Sequence, residues 1–93
     1  MKIGAIQIGM NDNVIIAIKQ VHPGDFIRYL QPGGRGVITV REEIYFGHKI
    51  ALVDIESGEV IIKYNQIIGI ASKHIKKGYH VHTHNIKSSV KGR

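Results

Sequence analysis

Cysteine and tryptophan are absent from this chain of 93 residues, and proline occurs only twice. Without cysteine the chain has no disulfide to compensate for a small core, and it cannot build a thiolate metal site or an iron–sulfur cluster. A chain of this length buries only about 60–65% of the surface that its unfolded form exposes. We therefore expect one small domain over residues 1–93, with its core at about 10–88 and a thin margin of stability.

Long hydrophobic runs are also missing. The apolar start, Met1 to Met10, is interrupted by Gly4, Gln7 and Gly9, and neither it nor any later run is long enough to cross a bilayer. The lack of cysteine fits a reducing compartment. These features predict a soluble, cytoplasmic protein that does not associate with membranes.

The charge is basic, with 13 Lys and Arg against 7 Asp and Glu, a net charge of +6 and a pI near 9.8. A basic chain raises nucleic acid as a partner. The positive residues are scattered, however, apart from 73–77 and a basic C-terminal tail at 87–93, and aromatic residues make up only 6% of the chain. Without an aromatic stacking surface, we expect nucleic-acid binding to be weak and non-specific at most.

The residues that are present favour strands. Eighteen are isoleucine, and β-branched side chains fit extended backbone better than helix. Alternating runs at 26–31 and 36–41 flank Pro32-Gly33-Gly34 and predict a hairpin, while 13–18 and 60–63 predict buried strands. A short helical turn remains open near 41–44 or 70–73. The chain is predicted to be all-β.

A weak internal repeat supports this prediction. Three segments, 17–27, 51–61 and 71–81, begin with Ala and place Ile or Val four residues later, Gly three residues further on, and Ile or Val three residues beyond that. Glycine suits a turn in which φ is positive. We expect Gly24, Gly58 and Gly78 to lie in similar corners of a small barrel-like or clip-like domain.

The strongest candidate site is the segment Gly78-Tyr79-His80-Val81-His82-Thr83-His84-Asn85. Alternate residues of a strand face one side, so His80, His82 and His84 should share a face. His80 and His82 are close enough to bind one metal ion, whereas His84 could join only if the strand bends or ends there. The pattern otherwise predicts that His84 contacts substrate or a neighbouring group. The alternative is an exposed polar face opposite a buried Val81.

Two further segments offer polar groups. Gly47-His48-Lys49 provides a titratable imidazole and a cation that would neutralise a carboxylate; the alternative is an ordinary turn. Lys63-Tyr64 follows a predicted strand and by itself indicates only a strand–loop–strand connection. The chain contains no phosphate-binding loop, dinucleotide fingerprint or serine-nucleophile motif.

Taken together, these segments resemble the N-terminal module of altronate and galactarate dehydratases, which is also similar to the small subunit of sulfolactate sulfo-lyase. The resemblance covers roughly residues 10–88 and rests on an ordered set: Gly47-His48-Lys49, Ala51-Leu52-Val53-Asp54-Ile55, Gly58-Glu59, Ile62-Lys63-Tyr64, Ile68-Gly69 and the histidine segment. Asn65 stands where this family usually has Gly after Lys-Tyr; Asn tolerates left-handed backbone, so the turn should survive.

The resemblance implies a SAF-type β-clip that acts as the small subunit of a sugar-acid hydro-lyase, with an active site shared with a large dehydratase subunit. It implies acid–base or ligand roles for His48, His80, His82 and His84. A site of nitrogen and oxygen ligands without thiolates suits Fe(II), Mn(II) or Zn(II), and we expect Fe(II) or Mn(II) held by His80 and His82. Substrate contacts would come from Lys49, Lys63, Tyr64 and Asn85. We expect the chain to be inactive alone.

Other interpretations remain open. The chain could be the small subunit of a sulfo-lyase, or a stand-alone module that binds metal, carbohydrate or nucleic acid without catalysis. It could also be a purely structural assembly domain, and homo-oligomers are possible.

Overall fold

A computed structural model of the chain describes residues 2–88, which form nine strands and, within that range, no helix. The strands are β1 Ile3–Ile6, β2 Val14–Ala17, β3 Phe26–Gln31, β4 Gly34–Thr39, β5 Lys49–Ala51, β6 Val60–Lys63, β7 Gln66–Ala71, β8 His80–Val81 and β9 Ile86–Lys87. A six-stranded sheet has the order β4-β3-β1-β2-β5-β8, and a three-stranded sheet has the order β6-β7-β9. The all-β prediction is confirmed, although the sheets stay open instead of closing into a barrel. The predicted tail falls largely outside the described residues.

Four corners, one more than the sequence repeat suggested, set the path of the chain. Corner 1 (17–27), corner 3 (51–61) and corner 4 (71–81) are the predicted ones. Corner 2 (40–50) begins with Val40 where the others have Ala, and the repeat was missed for that reason. In all four the glycine lies in a turn with φ between 85° and 92°, a conformation that strains any residue with a Cβ. The predicted positions of Gly24, Gly58 and Gly78 are confirmed.

The corners exchange hydrogen bonds in two pairs. In the first pair, the Gly24 N–H donates to the carbonyl of Val40 (2.7 Å), and the Gly47 N–H returns a bond to the carbonyl of Ala17 (2.8 Å). In the second pair, corners 3 and 4 repeat the exchange through Gly58 to Ala71 and Gly78 to Ala51, both at 2.8 Å. Buried β-bridges complete each pair, Val21 with Ile44 and Ile55 with Ile75.

Each pair of corners encloses its own apolar core, and strands β2 and β5 lie between the two. Ile15 and Ile50 belong to the first core, whereas their neighbours Val14 and Ala51 belong to the second. Successive residues of a strand face opposite sides, so each of these strands contributes to both cores. This explains why the sequence here is almost continuously apolar.

The predicted hairpin is confirmed, but its second strand begins two residues early. Strands β3 and β4 pair from Phe26 opposite Thr39 to Gln31 opposite Gly34, leaving a two-residue loop. Gly36 is therefore part of the strand. A Cβ there would lie 2.5 Å from the ring of Tyr29, so glycine lets this ring cover the strand.

A second hairpin joins β6 to β7 through Tyr64 and Asn65, both at φ 61°. Two left-handed residues form the type I′ turn that fits a twisted two-stranded ribbon, so the expectation that Asn65 preserves the turn is confirmed. The buried carboxylate of Asp12 accepts the N–H groups of both residues, each at 2.8 Å, and that of Gly9 at 2.8 Å. Asp12 thus fastens the β1–β2 loop to this turn.

Candidate active site

The ladder between β5 and β8 brings together histidines that are more than 30 positions apart. His48 directly follows the glycine of corner 2, and His80 and His82 follow the glycine of corner 4. The strands pair antiparallel, with Ile50 opposite His80 and Lys49 opposite Val81. The three imidazoles consequently lie on one face of the ladder, and Val81 lies buried on the other.

We call His48, His80 and His82 the histidine cluster. The Nδ1 atom of His48 lies 2.9 Å from the Nε2 atom of His80, and the ring centroids of His48 and His82 are 4.2 Å apart in a stacked arrangement. One ring nitrogen from each residue lies within 4.8 Å of the others. His82 Nδ1 is buried without a hydrogen-bond partner. An unpaired buried nitrogen is unfavourable. His82 Nδ1 is therefore suited to form a bond with a ligand such as a metal ion.

The predicted strand of alternating histidines ends at Val81, earlier than expected, because the chain turns at 82–85. The structure therefore adds His48 to His80 and His82 and places His84 beside them. The exposed ring of His84 lies 5.0 Å, between centroids, from that of His80. All four histidines were predicted as site residues from the sequence, but His48 was predicted as part of a separate segment.

Two polar side chains hold this part of the backbone. Buried Asn85 accepts the N–H of His82 (2.9 Å) and donates to the carbonyl of His80 (2.8 Å). Glu42 accepts the N–H of His80 at 2.8 Å and so satisfies a donor on edge strand β8. Neither contact was foreseen, since nothing in the sequence links Glu42 to a strand 38 residues away.

The environment of the cluster disfavours positive charge on His80 and His82. Burial lowers the pKa of His80 to about 4, with smaller contributions from His84, His48 and His82 that outweigh the opposite effect of Glu42. Burial also lowers the pKa of His82, helped by His48, Lys49 and His84. Both imidazoles are thus neutral near pH 7, the form that binds cations or accepts a proton.

A groove of about 240 Å³ opens beside the cluster and contains Lys49, His82, Thr83 and Lys87 among its lining residues. Lys49 is half-buried, and its pKa is lowered by burial and then by Lys63. Within residues 2–88, no carboxylate forms an ion pair with it. A half-buried cation without a counter-ion makes this groove suited to an anionic group.

The other residues predicted to contact substrate, Lys63, Tyr64 and Asn85, do not line the groove that contains Lys49. Lys63 ends β6 near enough to Lys49 to affect its pKa, whereas Tyr64 is 68% exposed in the adjoining turn. Asn85 is buried, with its amide bonded to the backbone, although it also lines a cavity of about 400 Å³ together with His84 and Glu42. Substrate binding by Lys49, Lys63, Tyr64 and Asn85 stays a prediction.

Paired glycine corners and two open sheets define the class of this protein: it is a small all-β domain. Residues 3–89 match the sequence model of the altronate/galactarate dehydratase SAF domain, and the chain belongs to that family. Within residues 2–88, no helix is long and apolar enough to cross a membrane.

The similar proteins are lyases. The chain is 38% identical over 86 residues to altronate dehydratase of Bacillus subtilis and 35% identical over 85 residues to that of Escherichia coli. Each alignment covers 91% of this chain but only 16% of the relative. Subunit alpha of (2R)-sulfolactate sulfo-lyase from Chromohalobacter salexigens is 43% identical over 49 residues, 53% of this chain and 52% of that protein. The chain is thus a SAF domain related to sugar-acid lyases and spans about one sixth of the altronate dehydratases.

Proposed function

We propose that this chain is the SAF subunit of a sugar-acid hydro-lyase and contributes its histidine cluster and Lys49 to an active site shared with a larger catalytic chain. The observation that carries the proposal is the cluster itself, three imidazoles with ring nitrogens within 4.8 Å of one another and a buried, unpartnered Nδ1 on His82. The family and the share of the altronate dehydratases that the chain spans support the larger partner.

A divalent cation fits this donor set. His48, His80 and His82 would hold it through ring nitrogens. Imidazole suits Fe(II) and Zn(II), whereas Mn(II) would also draw on oxygen ligands from substrate or partner. Such an ion, when bound, supplies charge stabilisation to an oxygen of the substrate. A site built from three ligands of one chain leaves room for groups from substrate and partner.

The remaining residues suit the elimination of water from a polyhydroxy acid. In that reaction a proton leaves the carbon next to the carboxylate, and hydroxide leaves the following carbon. Lys49 and the groove beside it would bind the carboxylate as an unpaired cation. Exposed His84, in contact with His80, is placed to exchange a proton with a group at the edge of the cluster.

A second candidate function is a stand-alone metal-binding module without catalysis. It is favoured by the fact that the whole cluster belongs to one chain and needs no partner residue for its three nitrogens. This candidate predicts the same metal binding but no activation of any catalytic chain.

Two measurements test the proposal. Calorimetric titration of the purified chain with Mn²⁺, and with Fe²⁺ without oxygen, should give one site per chain. The chain should also activate a dehydratase-type catalytic chain, assayed separately with altronate, galactarate and (2R)-sulfolactate as substrates. The paired substitution His80→Ala and His82→Ala should abolish the metal site and reduce activity at least about 100-fold.

His22→Ala is the matched control, because His22 is an exposed histidine in corner 1, outside the cluster. It should leave metal binding and activity unchanged. If the doubly substituted chain folds, assembles and turns over substrate at the parent rate, the cluster is not part of the chemistry. Metal binding without activation would instead favour the stand-alone module.

A further inference from the structure

The four corners make the same turn with different residues at their tips, the two positions before the glycine. Three tips contain no large apolar side chain, whereas corner 2 has an adjacent aromatic pair. The turn does not require that pair, since the N–H of the residue after the glycine donates back across each tip at 2.9–3.1 Å in all four corners. The tips are His22-Pro23, Tyr45-Phe46, Glu56-Ser57 and Lys76-Lys77.

Packing within the chain does not explain the aromatic pair either. Tyr45 is 56% exposed and Phe46 is 72% exposed. Large aromatic side chains exposed side by side are unfavourable in water and are enriched among residues that anchor protein interfaces. The tip of corner 2 therefore has the composition of a contact surface.

The position of the tip connects it to the histidine cluster. The ring of Tyr45 meets the ring of His48 edge-on, with centroids 6.1 Å apart. A protein that covers the tip is thereby brought over the cluster and can exclude water from it. The exposed parts of two aromatic residues would supply about 200–300 Å², about a third of the roughly 800 Å² that each partner buries in a standard interface.

We propose that Tyr45 and Phe46 are the anchor by which a lyase-type catalytic chain docks over the histidine cluster, inserting them into an apolar pocket. This deepens the proposed function and rests on it. The occupant is inferred from the position of the anchor beside the cluster and from the similar lyases, of which this domain corresponds to only 16% in the altronate dehydratases. The sulfolactate sulfo-lyases, in which the similar protein is named as a subunit, support the same occupant.

Photo-crosslinking identifies the occupant directly. Phe46→p-benzoylphenylalanine, introduced in the cells that make this protein, should crosslink on irradiation to a lyase-type catalytic chain identified by mass spectrometry. Phe26→p-benzoylphenylalanine is the matched control, because Phe26 is an aromatic residue 54% exposed in β3. It should not give that product. A crosslink to a second copy of this chain or to a protein of another class overturns the proposal, as do equal crosslinking at both positions and no crosslink at all.

Affinity provides the second arm, with the captured chain as partner. Tyr45→Ser and Phe46→Ser should each weaken its binding about 30-fold or more, the effect typical of anchor residues, whereas Phe26→Ser should leave it unchanged. Phe46→Ser and Phe26→Ser should bind Mn²⁺ like the parent, because neither residue belongs to the cluster, whereas Tyr45 contacts His48. Equal affinity of Phe46→Ser and parent would contradict the proposal. If this protein binds the catalytic chain through Phe46 but binds no metal, the proposed metal site is wrong and the docking surface is still supported.

Discussion

The four corners repeat the same backbone pattern but differ in the residue directly after the glycine. In corners 1 and 3 that residue is acidic and caps its own turn: Asp25 accepts the N–H of His22 (2.8 Å), and Glu59 accepts that of Glu56 (2.7 Å). In corner 2 the same position is His48, whose side chain faces His80. One equivalent position thus serves stability in two corners and the candidate site in a third.

This difference shows that the fold leaves the residue after the glycine free to vary. The hydrogen bonds that each corner glycine exchanges with the paired corner use backbone atoms, so the side chain after the glycine is not fixed by the turn. The site lies where the two pairs meet, with His48 from the first pair and His80 and His82 from the end of the second. Four predictions test this comparison.

The largest effects should come from the buried bridges that the pairs have in common. Ile44→Ala in the first pair and Ile55→Ala in the second each remove a fully buried side chain, and each should lower the free energy of unfolding by about 2–5 kcal/mol. Urea denaturation of both variants, monitored by circular dichroism, measures this. If one variant were as stable as the parent, the two pairs would not be equivalent.

Substitution after the glycine should separate stability from metal binding. His48→Ala should weaken Mn²⁺ binding at least about 100-fold because a ligand is lost. Glu59→Ala should leave metal affinity unchanged and cost about 0.5–2 kcal/mol of stability, as for a lost turn or helix cap. Calorimetric titration and urea denaturation of both variants provide the measurements. A metal affinity that falls equally in the two variants would mean that His48 acts only through the fold.

Two asparagine side chains that each hydrogen-bond to backbone, Asn85 and Asn13, should differ in the same way. Asn85→Ala frees the backbone of His80 and His82 and should weaken Mn²⁺ binding about tenfold. Asn13→Ala is the matched control, because Asn13 also makes two bonds to backbone, with Val60 (2.9 Å) and Ile62 (2.8 Å), away from the cluster. It should lower stability but not metal affinity. Unchanged metal binding in Asn85→Ala would show that the histidines do not need these hydrogen bonds to hold their backbone.

The smallest effects concern pH in the metal-free protein. The pKa of His80 is about 4 in the folded chain, against an ordinary value of 6.5, so between these values the unfolded chain binds the extra proton. The stability associated with neutral His80 is present above pH 6.5 and is lost as the pH falls towards 4. The facing groups are His48, His82, His84 and Glu42. Partial exposure of His80 reduces the effect.

His22 should behave in the opposite way, because its hydrogen bond to Glu43 raises its pKa. Its contribution is present below pH 6.5 and is lost as the pH rises through the raised value. Melting temperatures at pH 5 and 7, with a chelator present, should therefore differ less in His80→Gln than in the parent. In His22→Gln they should differ slightly more. The same pH response in both variants would show that neither environment affects stability.

The sequence predicted the strands and corners well because they depend on local patterns. Alternating apolar residues and glycine spacing are visible within ten positions, and three of the four corners were found in this way. Corner 2 was missed because it begins with Val40 instead of alanine. The bond from Gly24 uses the backbone carbonyl of this residue, so alanine is not required there. The boundaries of β4 were shifted because Gly34 and Gly36 resemble loop residues, and the sequence does not show that the ring of Tyr29 lies against Gly36.

The candidate site was only partly predictable because its contacts are long-range. The residue types of the cluster were recognised, but the register that places Ile50 opposite His80 depends on the assembled sheet. For the same reason, no pattern in the sequence indicates a partner for Asp12. Its carboxylate in fact fastens a turn more than 50 residues away.

Strands β2 and β5, which contribute to both cores, have a consequence for how the domain unfolds. Removing either core would expose apolar residues of the same two strands, so neither half can melt and leave the other intact. Despite its two cores, the domain should unfold in a single cooperative transition, with equal calorimetric and van't Hoff enthalpies. A fragment containing only one pair of corners would expose the side of β2 or β5 that normally packs in the other core, and it should remain unfolded.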